Sequence, residues 1–205
     1  MSLINQIIVN KYLPLEIIGK GKFGTIYKGK NIRNGEPVAI KTEYPEQTLK
    51  HETKMLNYLY SNTCRDVPPV YWYGLQRLQN CLIIPLYEMS LEDYLHINEN
   101  KFSDPIEKEV YNKKINQIMI KCIDILENIH YYFVLHRDIK PQNFMIHNKN
   151  IFLIDFGFSM FFMDENGEHV ECSQKTCILG TVNYISPNIH LGKTSSRRDD
   201  LISLG

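Results

Sequence analysis

The first part of the chain carries apolar and polar residues in patterns that predict strands. Residues 12–18 are rich in apolar side chains, and residues 25–30 form a second strand-like run. Asn34-Gly35 separates this second run from residues 37–41, and an Asn-Gly pair favours a hairpin because both residues tolerate positive φ. Other periodic runs predict a helix over residues 49–60 and strands over residues 70–73 and 81–85.

Helical periodicity dominates after residue 87. Ser90-x-x-Asp93 is a helix-start signal, since a serine side chain can cap the free amides of a first turn. Residues 106–130 form the longest helical pattern, and short apolar strands are expected at 144–146 and 151–154. The chain therefore reads as an α+β protein with a β-rich first part and a mainly helical second part. The long helix is expected to bury one stripe, made of Ile115, Ile118, Cys122, Ile125, Leu126 and Ile129.

Charge and composition narrow the class of protein. The 205 residues contain 23 basic and 23 acidic side chains, which argues against binding nucleic acid or an acidic membrane through bulk charge. No apolar run is long enough to span a bilayer, and the first residues lack the basic segment of a signal peptide. Five cysteines without a C-x-x-C pair are expected to be free thiols. We therefore expect an intracellular protein, cytoplasmic and/or nuclear.

Two segments of the β-rich part suggest phosphate binding. Gly19, Gly21 and Gly24 form G-x-G-x-x-G, whose glycines let backbone amides approach phosphate oxygens closely, although a glycine-rich hairpin has the same spacing. A strand follows instead of a helix, which excludes the dinucleotide-binding fingerprint. Further on, Ala39 is the only alanine of the chain, and Lys41 shares its strand face. A small residue there leaves room for a flat base and the ammonium can reach a phosphate, but Lys41 could also be an exposed strand lysine.

The decisive segment follows the long predicted helix. Residues 136–143 read His-Arg-Asp-Ile-Lys-Pro-Gln-Asn, and Asp155-Phe156-Gly157 follows twelve residues after Asn143. Together with the glycine-rich segment and the strand that carries Ala39 and Lys41, these make four motifs, in this order and on the predicted element types. With them the chain resembles a eukaryotic-type protein kinase. Among protein kinases the chain is most similar to the casein kinase 1 family. The segments that carry this similarity are residues 90–93, 140–144, 180–181, 186–188, 190–192 and 196–205. Where most kinases have Ala-Pro-Glu, the casein kinase 1 family has Ser-Ile-Asn, and this chain has Ser186-Pro187-Asn188.

That resemblance implies a bilobal fold and a serine/threonine kinase that uses ATP and Mg²⁺ on protein substrates. The catalytic residues would be Asp138 as base, Lys140, Lys41 held by Glu52, and Thr181 as a brace, although an isolated glutamate on a helix is more often solvated. The metal ligands would be Asn143 and Asp155. The ATP phosphates would lie under residues 19–25, that is Gly19, Lys20, Gly21, Lys22, Phe23, Gly24 and Thr25. Adenine would contact Ile18, Ile26, Ala39 and Met145, with Ile84 as gatekeeper and hydrogen bonds to the Pro85 carbonyl and the Tyr87 amide.

The resemblance also predicts the domain organisation and leaves an alternative open. It assigns residues 12–87 to an N-lobe with its hinge and residues 88–205 to a C-lobe that we expect to be incomplete, because kinases of this family continue beyond the position of Gly205. A nucleotide-binding or scaffolding fragment without transfer activity is the alternative. Arg197 and Arg198 are expected to pair with acidic neighbours such as Asp199 and, failing that, to bind substrate. Neither nucleic acid nor a membrane is expected as a partner, and the sequence does not indicate an oligomeric state.

Overall fold

A computed structural model describes residues 2–21, 24–44, 48–98, 101, 104–170 and 180–205. Its ten strands and five helices within these ranges follow in chain order: β1 Tyr12–Lys20, β2 Gly24–Asn31, β3 Pro37–Glu43, α1 Thr48–Ser61, β4 Trp72–Gln76, β5 Gln79–Pro85, β6 Met89–Ser90, α2 Leu91–Asn98, α3 Pro105–Tyr131, β7 Val134–Leu135, β8 Phe144–His147, β9 Asn150–Leu153, β10 Met160–Phe161, α4 Pro187–His190 and α5 Arg197–Leu204.

The chain divides into two compact units, of which the first comprises residues 1–61 and 68–87. It contains an antiparallel five-stranded sheet in the order β1-β2-β3-β5-β4. The Asn-Gly hairpin joins β2 to β3, and Gly35 takes a φ of 78° there. Helix α1 buries Met55, Leu56 and Leu59. One face of the sheet closes over an apolar cluster of Leu3, Ile8, Tyr12, Tyr27, Val38, Ile40, Cys81 and Ile83.

The second unit comprises residues 62–67 and 88–205 and is built around α3. Asp104 caps this helix by accepting hydrogen bonds from the amides of Ile106 and Glu107, and Pro105 occupies the first turn, where no amide partner is needed. A small sheet orders its strands β6-β8-β9, and a second pairs β10 with β7. The tight turn between β8 and β9 uses two residues with positive φ, Asn148 and Lys149.

Most of the predicted elements are present with bounds shifted by one or two residues, and two expectations need correction. The strand expected at 70–73 is found at Trp72–Gln76, because Arg77 and Leu78 form a positive-φ turn that extends the ladder to its Gln76–Gln79 pair. The apolar signal at its start reflects Tyr71 and Trp72 packing on the core cluster.

The buried stripe expected along α3 is present for four of its six residues, and Ile115 and Ile118 are only half-buried. Cys122, Ile125, Leu126 and Ile129 are buried, but Ile115 and the rest of the amino-terminal half are partly or largely exposed. Helical spacing identifies one face of a helix, whereas burial of that face depends on which elements pack against it. No helix within the described ranges is both long and apolar enough to cross a membrane.

Candidate active site

An ion pair inside the first unit joins β3 to α1. Lys41 Nζ lies 2.6 Å from Glu52 Oε1, and the two side chains are only 11% and 2% exposed. The sequence left open a solvated Glu52 and an exposed Lys41, and the burial of both side chains excludes these two alternatives. Removing one partner of such a buried pair would leave the other charge buried without a counterion, which typically lowers the free energy of unfolding by about 3–5 kcal/mol.

The glycine-rich segment joins β1 to β2, and its three glycines differ in the space that surrounding atoms leave for a Cβ. At Gly24 a Cβ would lie 1.7 Å from the Thr42 carbonyl oxygen, so the sheet itself excludes any side chain. At Gly19 the nearest described atom to a Cβ is 3.6 Å away, and at Gly21 none lies within 4 Å. Packing of the described residues therefore gives no reason for glycine at Gly19 and Gly21, and close approach by a ligand would give one.

The other residues expected around the phosphates are placed as follows. Lys20 is exposed at the end of β1 and pairs with Thr25 across the hairpin. The Gly21 amide donates to the Gly24 carbonyl at 2.9 Å. Lys22 and Phe23 lie outside the described residues.

The residues expected to contact adenine occupy neighbouring ladder positions in the first unit, with one exception. Ala39 pairs with Ile84 on β5, and Lys41, on the same face as Ala39, pairs with Ile26 on β2. Ile18 is half exposed at a β-bulge of β1. The exception is Met145, which belongs to the second unit, on β8. The expected hinge residues end the first unit, Pro85 as the last residue of β5 and Tyr87 two residues later.

A closed ring of hydrogen bonds surrounds Asp138 in the second unit. Its Oδ1 accepts from the backbone amide and the hydroxyl of Thr181, both at 2.8 Å. Its Oδ2 accepts from Lys140 Nζ at 2.7 Å and from Asn143 Nδ2 at 3.1 Å. Lys140 Nζ also donates to Thr181 Oγ1 at 2.7 Å, which closes the ring. The arrangement fixes a carboxylate and an ammonium side by side, the pair needed to take a proton from a hydroxyl and to neutralise a transferring anion.

Asn143 and Asp155 are brought together by the β8–β9 hairpin. The amide of Ile154 donates to the Asn143 carbonyl at 2.9 Å, so Asp155 directly follows the residue that pairs with Asn143. Asn143 Nδ2 donates to the Asp138 carbonyl at 2.7 Å, which turns the side-chain amide so that its nitrogen faces Asp138. Asp155 has a left-handed backbone, with φ of 70° and ψ of 64°. A carboxylate and an amide oxygen are hard donors suited to Mg²⁺.

His136 is a buried residue of this loop to which the sequence assigned no role. Its Nδ1 accepts from the Asp138 amide at 3.3 Å, so Nε2 carries the proton and donates to the Ile154 carbonyl at 3.0 Å. The ring meets Phe156 edge to face at 4.8 Å. Burial lowers the pKa of His136 below its usual value, which keeps the ring neutral in this position.

Asp200 is the functional residue that sequence reasoning missed. From α5, its buried carboxylate accepts from the backbone amides of His136 and Arg137, each at 2.9 Å, and lies 2.9 Å from His130 Nε2. It thereby holds the turn before Asp138, in which Arg137 has a φ of 68°. These partners lie more than sixty residues away in the chain, so residues 196–205, although they carried the family resemblance, did not show what Asp200 contacts.

Asp199 has partners other than the expected arginines. Its carboxylate accepts from the Ser186 hydroxyl at 2.5 Å and from the amide and hydroxyl of Ser196. Arg197 instead lies over the ring of Phe162, 5.2 Å from its centre. The Ser-x-x-Asp spacing from Ser196 to Asp199, which also marks the start of α2, was the available signal for this cap.

The sheet with its buried lysine–glutamate pair, and the Asp-Lys-Thr ring beside Asn143 and Asp155, define a protein kinase by class. Comparison with known sequences agrees, since the family model described as protein kinase domain matches residues 12–205. The chain belongs to the protein kinase family.

Within that family the chain is similar to casein kinase I homologues from yeasts. It is 38% identical to casein kinase I homolog 1 of Saccharomyces cerevisiae over 199 residues, which cover 92% of this chain and 35% of that protein. It is 35% identical to casein kinase I homolog 1 of Schizosaccharomyces pombe over an alignment of 216 positions, which covers 100% of this chain and 46% of that protein. The chain thus spans less than half the length of these relatives.

Proposed function

We propose that this protein is a serine/threonine protein kinase, which transfers the γ-phosphate of ATP to hydroxyl groups of protein substrates. The observation that carries the proposal is the ring of Asp138, Lys140 and Thr181, a geometry suited to phosphoryl transfer. The names of the similar yeast proteins, casein kinase I homologues, support the same substrate class.

In this proposal the first unit supplies nucleotide contacts. Gly19 and Gly21, which the described packing leaves free of steric demand, would let the backbone approach the phosphates. Lys41, oriented by Glu52, would bind the α and β phosphates as a point charge.

The adenine contacts are proposed from the sheet face that holds Lys41. Ile18, Ile26 and Ala39 would pack on the base, with Met145 as a further apolar contact. Ile84 would act as gatekeeper. The Pro85 carbonyl and the Tyr87 amide would bond to adenine, and a proline is compatible because only its carbonyl is used.

The donor set at Asn143 and Asp155 fits Mg²⁺. Both offer oxygen atoms, and Mg²⁺ is usually bound by one or two carboxylates together with substrate phosphates and water. Asn143 and Asp155 would hold the ion, which when bound would neutralise charge on the phosphates of the nucleotide.

The transfer step assigns one task to each member of the ring. Asp138 would orient the substrate hydroxyl and accept its proton as the oxygen attacks the γ-phosphorus. The bond between that phosphorus and the bridging oxygen of the β-phosphate would break in the same step, and ADP would leave. Lys140 would offset charge on the transferred phosphoryl, and Thr181 would hold both side chains in place. Proton acceptance and charge neutralisation would then fall to groups that are already held in place and need no rearrangement during the step.

The proposal assigns residues 12–87 to the N-lobe and residues 88–205 to the C-lobe of one kinase domain. The Lys140-Pro141-x-Asn143 form resembles serine/threonine kinases more than tyrosine kinases. Phosphoserine and phosphothreonine are therefore the expected products.

The test is transfer of labelled γ-phosphate from Mg-ATP to casein, followed by phosphoamino acid analysis. We expect Asp138→Asn to lower turnover by about 10²–10⁴-fold, the usual contribution of a general base. Asp124→Asn, an exposed aspartate on α3, is the matched control and should retain full activity. Turnover unchanged in Asp138→Asn would remove Asp138 from its role, and a folded chain with ATP binding but no transfer would favour the nucleotide-binding or scaffolding alternative.

A further inference from the structure

Glu43 is a buried carboxylate with no part in the machinery described so far. It is the last residue of β3, two positions after Lys41, and only 3% of its surface is exposed. Its Oε1 accepts from the backbone amide of Leu49 at 2.9 Å, and its Oε2 accepts from the Thr48 hydroxyl. Thr48 and Leu49 are the first two residues of α1.

These contacts make Glu43 a cap for α1 supplied by the preceding strand. The first amides of a helix have no partner within it, and a carboxylate is favoured at this positive end. In most helices the capping side chain comes from the residue beside the first turn. Here it comes from β3, so the cap also ties the helix to the sheet.

The cap and the Lys41–Glu52 pair share the same two elements. Lys41 and Glu43 are two residues apart and therefore face the same side of β3, about 6–7 Å apart along the strand. Leu49 and Glu52 are three residues apart, about 4.5 Å along α1 and nearly one turn. Strand and helix are thus fastened at two neighbouring points, one of which is the ion pair.

We propose that Glu43 is a positioning residue, which holds α1 in the register where Glu52 reaches Lys41. Without the cap, the first turn of α1 would lose its attachment to β3, and only the ion pair and apolar packing would hold Glu52 in place. The catalytic consequence rests on the proposed kinase function, but the structural consequence for Lys41 does not.

Acylation of lysines by a succinimidyl acetate reagent, read at each site by mass spectrometry, tests the structural consequence. Glu43→Gln is expected to raise the labelling rate of Lys41 at least about fivefold, towards the rate in Glu52→Gln, because opening of the first turn frees the ammonium. Exposed Lys30 is the internal reference. Glu16→Gln is the matched control, since Glu16 forms a largely exposed ion pair on β1 and should leave Lys41 unchanged. An unchanged Lys41 rate in Glu43→Gln overturns the proposal.

If Glu43→Gln fails to fold, a milder pair of variants tests whether Glu43 positions α1. Thr48→Val removes one donor to the cap and is expected to raise the labelling of Lys41, whereas Thr48→Ser keeps the hydroxyl and should restore the wild-type rate. Equal rates in the two variants would overturn the proposal.

A double-mutant comparison of γ-phosphate transfer tests the catalytic consequence. If Glu43 acts through Glu52, each single Gln variant loses activity, while the double variant falls no more than about threefold below Glu52→Gln alone. Independent, multiplying losses would overturn the route through Glu52. A wild-type chain without transfer would instead count against the proposed function, and the labelling of Lys41 would still decide the role of Glu43.

Discussion

Replacement of Asp200 tests whether one buried carboxylate holds the turn that carries Asp138. In Asp200→Ala the amides of His136 and Arg137 lose their acceptor while remaining buried or partly buried, and His130 loses its partner. Each buried donor left without an acceptor typically costs about 1–3 kcal/mol, and for these three partly or fully buried donors we expect about 3–5 kcal/mol in total. The turn is weakened further because Arg137, whose φ of 68° is unfavourable for a residue with a side chain, loses the acceptor that holds its amide.

Asp200→Asn is the graded variant. A carboxamide keeps one oxygen, which can serve the two donors that Oδ2 now serves, but its nitrogen would face the third amide. The expected loss is then about 1.5–3 kcal/mol, the value of one hydrogen bond to a charged group.

Thermal unfolding followed by circular dichroism measures these losses. At about 2–4 °C per kcal/mol for a chain of this size, Asp200→Ala should lower Tm by about 6–20 °C and Asp200→Asn by about 3–12 °C. Asp124→Asn, exposed on α3, should change Tm by less than about 2 °C. A Tm of Asp200→Ala within about 2 °C of wild type would refute the reasoning that this carboxylate holds the turn.

Three further predictions follow from single features of the structure. Gly180→Ala should lower phosphoryl transfer at least about tenfold, since φ is 107° and a Cβ would lie 2.6 Å from the Arg137 carbonyl; kinetics equal to wild type would contradict this. Burial lowers the pKa of His136 below 6.5, so the unfolded chain binds the extra proton and stability is lost as pH falls below about 6.5. Urea unfolding at pH 7.5 and 5.5 should show a smaller difference in His136→Gln, and an equal difference would exclude this histidine. Burial raises the pKa of Cys81 and of Cys122 to about 12, so about one thiol in ten thousand is ionised at pH 8. Iodoacetamide should therefore modify both cysteines only after unfolding, and peptide mass spectrometry detects the modification.

Much of the fold was predictable because its signals are local. The Asn34-Gly35 hairpin, the 27-residue helix α3 and the turn after β8 each follow from residues close in the chain. The extent of burial was not predictable in the same way, since the amino-terminal half of α3 has the apolar spacing of a core helix and is nevertheless partly exposed. Periodicity reports a residue's angular position on a helix, and only packing partners determine what covers it.

The candidate site divides along the same line. The motifs singled out Lys41, Asp138, Asn143 and Asp155, and the resemblance to protein kinases gave them their roles. The neutral charge balance argued against binding nucleic acid through bulk charge. Resemblance supplied Glu52 and Thr181 as partners, whose contacts the structure then displays.

Only the tertiary structure identified Asp200 behind the Asp138 turn and Glu43 at the start of α1. A buried carboxylate and an exposed one are the same letter in a sequence. What separates them is the set of amides that folding brings within 3 Å, from sixty residues away for Asp200 and from the following helix for Glu43.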